Sequence, residues 1–464
     1  MPMPQPRQVS PPKGARVPPP DETGRRRRAW LIAALIVTFM LINYADKAVL
    51  GLAAVPIMDE LQLSNSAYGL IASSFAVLFS LSGFLAGFFS SRISSRVMLF
   101  VMALLWAVAQ VPVLLVASVP ALVAGRVLLG AAEGPATPMS MHALYKWFPE
   151  GRRGLPSALQ ISGAALGTLI AAPVLTGLIT GFGWRSGFAA LAVTSVVWSL
   201  VWWKLGHDGP YDQRPAPKRG APREPAPEQG TAVQPAKVAG LPYRRLLTTG
   251  TMLGSMVGAF GGSWANALSQ AWLPAYLRTE LGLAPGRAAT VISIVAGLGF
   301  VLLLAVSPVV DALNRRGVSM RWSSGALQGA AVTMAGLAMA AVPLVEGRGA
   351  TLVLVAVAFS VFALVFPLHY VTAAAVVPPS QRGAVFGIVA GTGTLPILIA
   401  PYLTGHFLDT ASSRSAGYLH AFLVSGAVML VCGIFAMVTI RPERDARRLG
   451  LTPAAPAPTQ ATAH

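Results

Sequence analysis

Long apolar runs separated by short polar connections dominate this chain. Twelve runs stand out, at 29–53, 66–90, 96–117, 120–145, 155–180, 184–205, 246–276, 288–311, 322–343, 350–376, 383–408 and 417–440. Each is long enough to cross the roughly 30 Å hydrocarbon layer as a helix. Helix is the expected state, because an unpaired strand leaves its backbone N–H and C=O groups unsatisfied in lipid. The pattern therefore predicts an all-α polytopic membrane protein with twelve transmembrane helices.

Charge refines the picture. Of the 464 residues 54% are hydrophobic and 11% charged, whereas a soluble domain carries about a quarter charged residues. The net charge of +18 does not point to nucleic acid, since the basic residues sit in the tails and connections and form no basic domain with interleaved aromatics. Their placement instead records orientation. Arg92, Arg96, Lys146, Arg152, Arg153, Arg315, Arg316, Arg321, Arg382, Arg441 and Arg444 fall in alternate connections or at the C-terminal end, which predicts that both termini are cytoplasmic. The first 28 residues end in four arginines and run directly into the first apolar stretch, so that stretch is expected to stay as an anchor, not a cleaved signal. Cys432 is the single cysteine, which excludes an internal disulfide.

Residues 206–245 interrupt the series with proline and charge and are read as a cytoplasmic linker. The expected organisation is a disordered tail at 1–28, a six-helix half at 29–205, the linker, a second six-helix half at 246–440 and a C-terminal tail at 441–464. The halves repeat. FPEGRRG follows run four and VPPSQRG follows run ten, while SSRISSRVM and DALNRRGVSM follow runs two and eight. The two matches share an offset of about 220–230 residues, the mark of a duplicated unit. Parallel six-helix repeats around a central cavity are one of the transporter plans.

Over residues 29–440 the chain resembles the major facilitator superfamily. The connection after run two is similar to that superfamily's G-x-L-x-D-R-x-G-x-R motif, with Gly87, Arg92 and Arg96 matching; Ser91 replaces the aspartate and Ser94 the second glycine, while the second copy keeps Asp311. The resemblance implies the major facilitator fold and a gating latch on the cytoplasmic side. NYADKAVLGLAA resembles the N-Y-x-D-R-x-x-L-x-x-A of the anion:cation symporters within the superfamily, and RVLLGAAEGPATP their R-x-x-x-G-x-x-E-x-x-x-x-P. WFPEGRRG, GWRSGF and WLPAYL add weaker matches.

Ionisable residues inside an apolar run cost several kcal/mol, so each is a functional candidate. The first half holds four: Asp46 and Lys47 in run one, Arg126 and Glu133 in run four. At a rise of 1.5 Å per residue, Asp46 lies about 25 Å from the start of its run and Arg126 roughly 9 Å from the start of the antiparallel run four, near enough in depth to pair. Glu133 follows Arg126 by two turns and shares its face. A fixed Asp46–Arg126 pair setting helix register is the structural alternative, which leaves Lys47 and Glu133 unaccounted for. A carboxyl in a low-dielectric cavity favours its neutral form, making Glu133 a candidate reversible proton carrier. Lys47 and Arg126 are the cations available to an anion.

The resemblance implies that Lys47 occupies the position of a substrate-binding arginine, that Asp46 and Glu133 occupy positions of proton coupling, and that Arg126 pairs or binds substrate. Lysine cannot fork onto two oxygens as arginine does. Tyr44, Gln270, His369 and Thr394 complete the expected binding set. Where sugar-acid members carry a tyrosine, a glutamine and an asparagine, this chain aligns with Phe79, Ala164 and Thr394. Each change removes or shrinks a group suited to a hydroxyl.

The expectation is thus a proton-coupled importer of a small, poorly hydroxylated mono- or dicarboxylate, working by alternating access as a monomer in a bacterial cytoplasmic membrane. Its partners are the organic anion and the bilayer, with no nucleic acid, no metal and no cofactor beyond the coupling proton. A proton-coupled drug or metabolite exporter and a non-transporting receptor on the same fold are the alternatives. Nothing in the sequence suggests an enzyme.

Overall fold

The computed structural model describes residues 22–89, 93–149, 152–211, 241–378 and 381–451. All regular structure among them is helical. In the first part run α1 (Glu22–Leu52), α2 (Ala54–Leu61), α3 (Asn65–Ser74), α4 (Ala76–Phe89), α5 (Ser95–Leu115), α6 (Val119–Glu133), α7 (Ala136–Tyr145), α8 (Gly154–Phe182) and α9 (Arg185–Leu205). The second part holds α10 (Tyr243–Leu247), α11 (Gly250–Ala271), α12 (Leu273–Thr279), α13 (Pro285–Arg315), α14 (Leu327–Ala341), α15 (Arg348–Ser360), α16 (Val365–Ala374), α17 (Arg382–Thr410), α18 (Arg414–Thr439) and α19 (Pro442–Arg448).

Ten helical stretches among the described residues are long and apolar enough to cross a membrane, and some of them run across a break, as from α3 into α4 and from α15 into α16. The other two of the expected twelve spans correspond to α6 with α7 and to α11 with α12. Proline accounts for several breaks, because its ring displaces the carbonyl four residues earlier and its nitrogen cannot donate. Pro135 and Pro138 follow the end of α6, Pro274 follows the break at Trp272, and Pro367 follows the 3-10 turn Val361–Leu364 that separates α15 from α16. By contrast α8 runs unbroken past Pro173 and α17 past Pro396 and Pro401.

One expectation, at the N-terminal end, is corrected. The helix begins at Glu22, so Arg25–Arg28 extend α1 instead of joining a disordered tail. After α18, residues 442–448 form α19, folded back on the second half: the Asp445 carboxylate accepts hydrogen bonds from Thr251 N (2.8 Å) and Oγ1 (2.7 Å). Most of the expected linker lies outside the described residues.

The first six spans pack mainly among themselves, as do the last six. They meet where α3 and α4 lie along α17, α8 along α13, and α1 against α11 and α12. Hydrogen bonds between the two groups cluster at the end opposite the termini. Asp409 accepts from Asn65 and Ser66, Tyr68 Oη donates to Ala271 O (2.9 Å), and Ser293 Oγ donates to Leu169 O (2.8 Å). Nearer mid-bundle the hydroxyls of Ser80 and Thr394 bond across the interface. Among the described residues no hydrogen bond joins the groups between that pair and the end that carries the termini.

Candidate functional site

The four intramembrane charges converge, but not in the expected pairing. Lys47 Nζ lies 3.1 Å from Glu133 Oε2; the Lys47 side chain is 16% exposed and that of Glu133 fully buried. Lys47 also donates to Asn43 Oδ1 at 2.6 Å, one turn back along α1. Its ammonium sits 4.3 Å from the Tyr44 ring centre and 5.6 Å from that of Phe79, positions in which the ring faces help hold a cation.

Asp46, adjacent in sequence, points elsewhere. Successive residues on a helix are about 100° apart, so Asp46 turns toward α5, where Gln110 Nε2 donates to its Oδ1 at 2.9 Å. Arg126 does not meet the carboxylate: its Nη1 donates to the backbone carbonyl of Asp46 at 3.2 Å, and its guanidinium lies 5.2 Å from the Phe75 ring. The expected Asp46–Arg126 side-chain pair is therefore corrected to a Lys47–Glu133 pair beside an Asp46–Gln110 bond. The reason is angular: depth alone placed Arg126 near Asp46, while helix rotation decides which side chains face each other.

Local sequence explains why span four presents Glu133 here. Gly130 and Gly134 face α4 and the end of α3, and a Cβ on either would sit 2.0 Å from a backbone oxygen of Phe75 or Phe79. The rods thus touch backbone to backbone, and Glu133, between the two glycines and at the last turn of α6, is carried into the gap. Gly163 and Gly167 do the same for α8 against Met40, Leu41 and Tyr44.

The second half contributes less. Gln270 is half-buried on α11, and its backbone carbonyl oxygen abuts Gly51, one turn beyond Lys47. His369 is 4% exposed; its Nδ1 lies 3.2 Å from Val365 O, and its ring packs 3.9 Å from that of Tyr370. It bonds within its own helix, not to a neighbouring one. Thr394 is engaged with Ser80 and with Gly391 O. Trp264 and Trp272 are buried, with their indole N–H groups on Ser425 Oγ and Pro401 O.

Of the expected gating motif, Gly87 lies in α4 and Arg92 falls outside the described residues. Arg96 donates to the Trp203 carbonyl and lies 4.7 Å from that ring, within its own half. Asp311 is exposed on α13.

Two residues of the site were not singled out from sequence. Asn43 is wholly buried and Gln110 is 3% exposed. Asn43 precedes Lys47 by one helical turn, and Gln110 is the one amide in an otherwise apolar run; these are the signals by which sequence could point to them.

Comparison with known proteins accords with this architecture. The hexuronate transporter of Bacillus subtilis is 25% identical over 407 residues, covering 87% of this chain and 92% of that protein. The probable sulfoacetate transporter of Cupriavidus necator is 27% identical over 415 residues, covering 89% and 94%. Among solved structures, a bacterial homologue of the human lysosomal transporter Spinster, inward-facing and unoccupied, superposes with a TM-score of 0.73 at 16% identity over 90% of this chain and 98% of that one. A D-xylose–proton symporter gives 0.67 at 17%, over 89% and 98%. The family model described as Major Facilitator Superfamily matches residues 35–345, and with a match over more than half its length the chain belongs to the Major Facilitator Superfamily.

Proposed function

We propose that this protein imports a small organic anion together with a proton, the anion being a poorly hydroxylated carboxylate. The observation that carries the reading is the Lys47–Glu133 contact at 3.1 Å, with a partly exposed cation on a fully buried carboxylate. An incoming carboxylate competes with Glu133 for the ammonium. Once released, Glu133 is a buried carboxylate that has lost its ion-pair partner, a state costing several kcal/mol, and it is relieved by taking up a proton. Anion and proton are thereby linked at one lysine. The similarity to a hexuronate transporter and a probable sulfoacetate transporter supports an anionic substrate.

The preference for few hydroxyls rests on Phe79 lying beside Lys47 and on Thr394 being committed to Ser80. With both termini cytoplasmic, the closed end faces outward and the conformation is inward-facing. Alternating access then requires the bonds of Asp409, Tyr68 and Ser293 between the halves to break.

The test is uptake into proteoliposomes driven by an inward proton gradient, comparing sulfoacetate, succinate and benzoate with glucuronate and galactarate. Accumulation of a poorly hydroxylated acid is expected, with Glu133→Gln retaining anion exchange but losing gradient-driven accumulation. Transport of glucuronate and galactarate alone would overturn the substrate preference, and failure of every anion would overturn the reading itself.

A further inference from the structure

Asp46 is buried on the side of α1 away from Lys47, and its carboxylate has one side-chain partner. Gln110 Nε2 donates to Oδ1 at 2.9 Å, while Oδ2 is buried and has no hydrogen-bond partner. The other charged groups near Asp46 are Lys47 on its own helix and Arg126 and Glu133 on α6, and none of them hydrogen-bonds its carboxylate. On α3 the Tyr68 hydroxyl is spent on the carbonyls of Leu50 and Ala271. The long helix packed along α1, α8, carries no titratable residue, and neither does α11; on α9, Arg185 and Lys204 stand at the two ends. Those on α2 and α12 lie at the closed end, and His142 and Tyr145 lie on α7, which meets α1 around Met40 and Ser140.

A buried carboxylate needs a donor, and a buried carboxylic acid needs an acceptor for its proton. A primary amide is able to serve both, because turning it over exchanges N–H for C=O in the same place. We infer that Gln110 is a positioning residue that serves Asp46 in both protonation states and sets the pH at which Asp46 exchanges its proton, separately from the anion site at Lys47. This inference rests on the proton-coupled reading above. It gives α5 a part in the transport site.

Gln160 provides an internal control. It is a second fully buried glutamine in the same half, but its Nε2 donates to a hydroxyl, Ser140 Oγ, at 2.8 Å. Replacing it removes a buried amide without touching a carboxylate.

The experiment is infrared difference spectroscopy of the reconstituted full-length protein titrated from pH 4 to pH 9, which needs no substrate. The carboxylic acid band of Asp46 is identified by its loss in Asp46→Asn. In Gln110→Leu that band is expected to change position and to titrate at a pH higher by about one unit or more, since charge-assisted bonds to a buried carboxylate are of that size. Gln110→His, which again offers a donor and an acceptor, should restore part of the shift, and Gln160→Leu should leave the band unmoved. An Asp46 band that titrates alike in wild type and Gln110→Leu, or no band lost in Asp46→Asn across the range, overturns the inference. If Gln110→Leu does not fold, the same comparison is read from Gln110→His and Gln110→Glu. Uptake of the fastest-moving anion from sulfoacetate, succinate, benzoate and glucuronate is measured alongside. Wild-type uptake indifferent to the proton gradient would sink the coupled-transport reading whatever the spectra show, whereas gradient-driven uptake with an unshifted band sinks the Gln110 role alone.

Discussion

Asp409, in the last turn of α17, caps the first turn of α3 across the interface between the halves. Its Oδ1 accepts from Asn65 N (3.0 Å) and Nδ2 (2.8 Å), and its Oδ2 from Ser66 N (2.7 Å). A carboxylate on the free N–H groups of a helix start is favoured both by hydrogen bonding and by the helix dipole. Here the cap belongs to the other half, so it holds the far end of the bundle shut. Asp409→Ala should weaken that closure. In a Cys432→Ala, Ser73→Cys background, labelling by a membrane-impermeant maleimide applied from the side opposite the termini should speed up about five- to tenfold, the equivalent of about 1–1.5 kcal/mol. An unchanged rate would mean that Asp409 does not hold the end closed.

Gly134 sets a second expectation. A Cβ there would fall 2.0 Å from the Phe79 carbonyl oxygen and 2.3 Å from Ser82 Oγ. Because the nearer atom is backbone, one rod must move away from the other. Gly134→Ala is expected to destabilise the protein by about 1–3 kcal/mol, the usual cost of overpacking, and to displace Glu133 from Lys47. Thermal unfolding in detergent measures the first effect. Full stability in the variant would show that α4 and α6 have room to spare.

How much of this was legible in the sequence differs from one residue to the next. The spans were readable because twenty apolar residues have one stable form in lipid. Divided rods were harder: the Pro135–Pro138 and Pro274 breaks follow from known chemistry, but whether a proline breaks or merely bends a helix depends on its neighbours, and α17 continues past Pro396 and Pro401. At the site, the identities of Asp46, Lys47, Arg126 and Glu133 were visible, and their partners were not. Pairing depends on helix rotation and on the close approach that Gly130 and Gly134 allow, and depth from residue counting contains neither. Gln110 does not stand out in the sequence because an uncharged amide costs less to bury than a charge.

Asp445 offers a pH test outside the membrane. Burial pushes its carboxyl up, but hydrogen bonds from Arg444 Nε (3.0 Å) and from Thr251 N and Oγ1 outweigh it and hold the group below its usual value. A lowered folded-state value contributes stability that is present in full above the unfolded value, about pH 4, and is lost as pH falls through the folded one. Asp445→Asn should therefore unfold at a lower temperature than wild type at pH 7, by about 1–2 kcal/mol in stability. The gap should narrow as the pH drops below about 4. A gap that stays constant down to pH 3 would show that the charge on Asp445 is not what fastens α19 to α11.

Phe79 yields a prediction for selectivity. Its ring centre lies 5.6 Å from Lys47 Nζ and its carbonyl abuts Gly134, so the position of the side chain is fixed by the same contact that carries Glu133 to Lys47. Phe79→Tyr adds one hydroxyl at the ring's far edge without altering the backbone approach. On the proposed reading, a substrate hydroxyl would then find a partner where the wild-type protein offers only hydrocarbon. Hydrogen-bonding sites discriminate strongly against ligands that leave them unpaired. The ratio of glucuronate to benzoate uptake should therefore rise about tenfold or more in Phe79→Tyr, with Lys47 and Glu133 untouched. Measured as competing uptake of the two acids at equal concentration, a ratio that does not move would place the selectivity of the cavity away from α4 and leave Ala164 and Thr394 as the positions to exchange next.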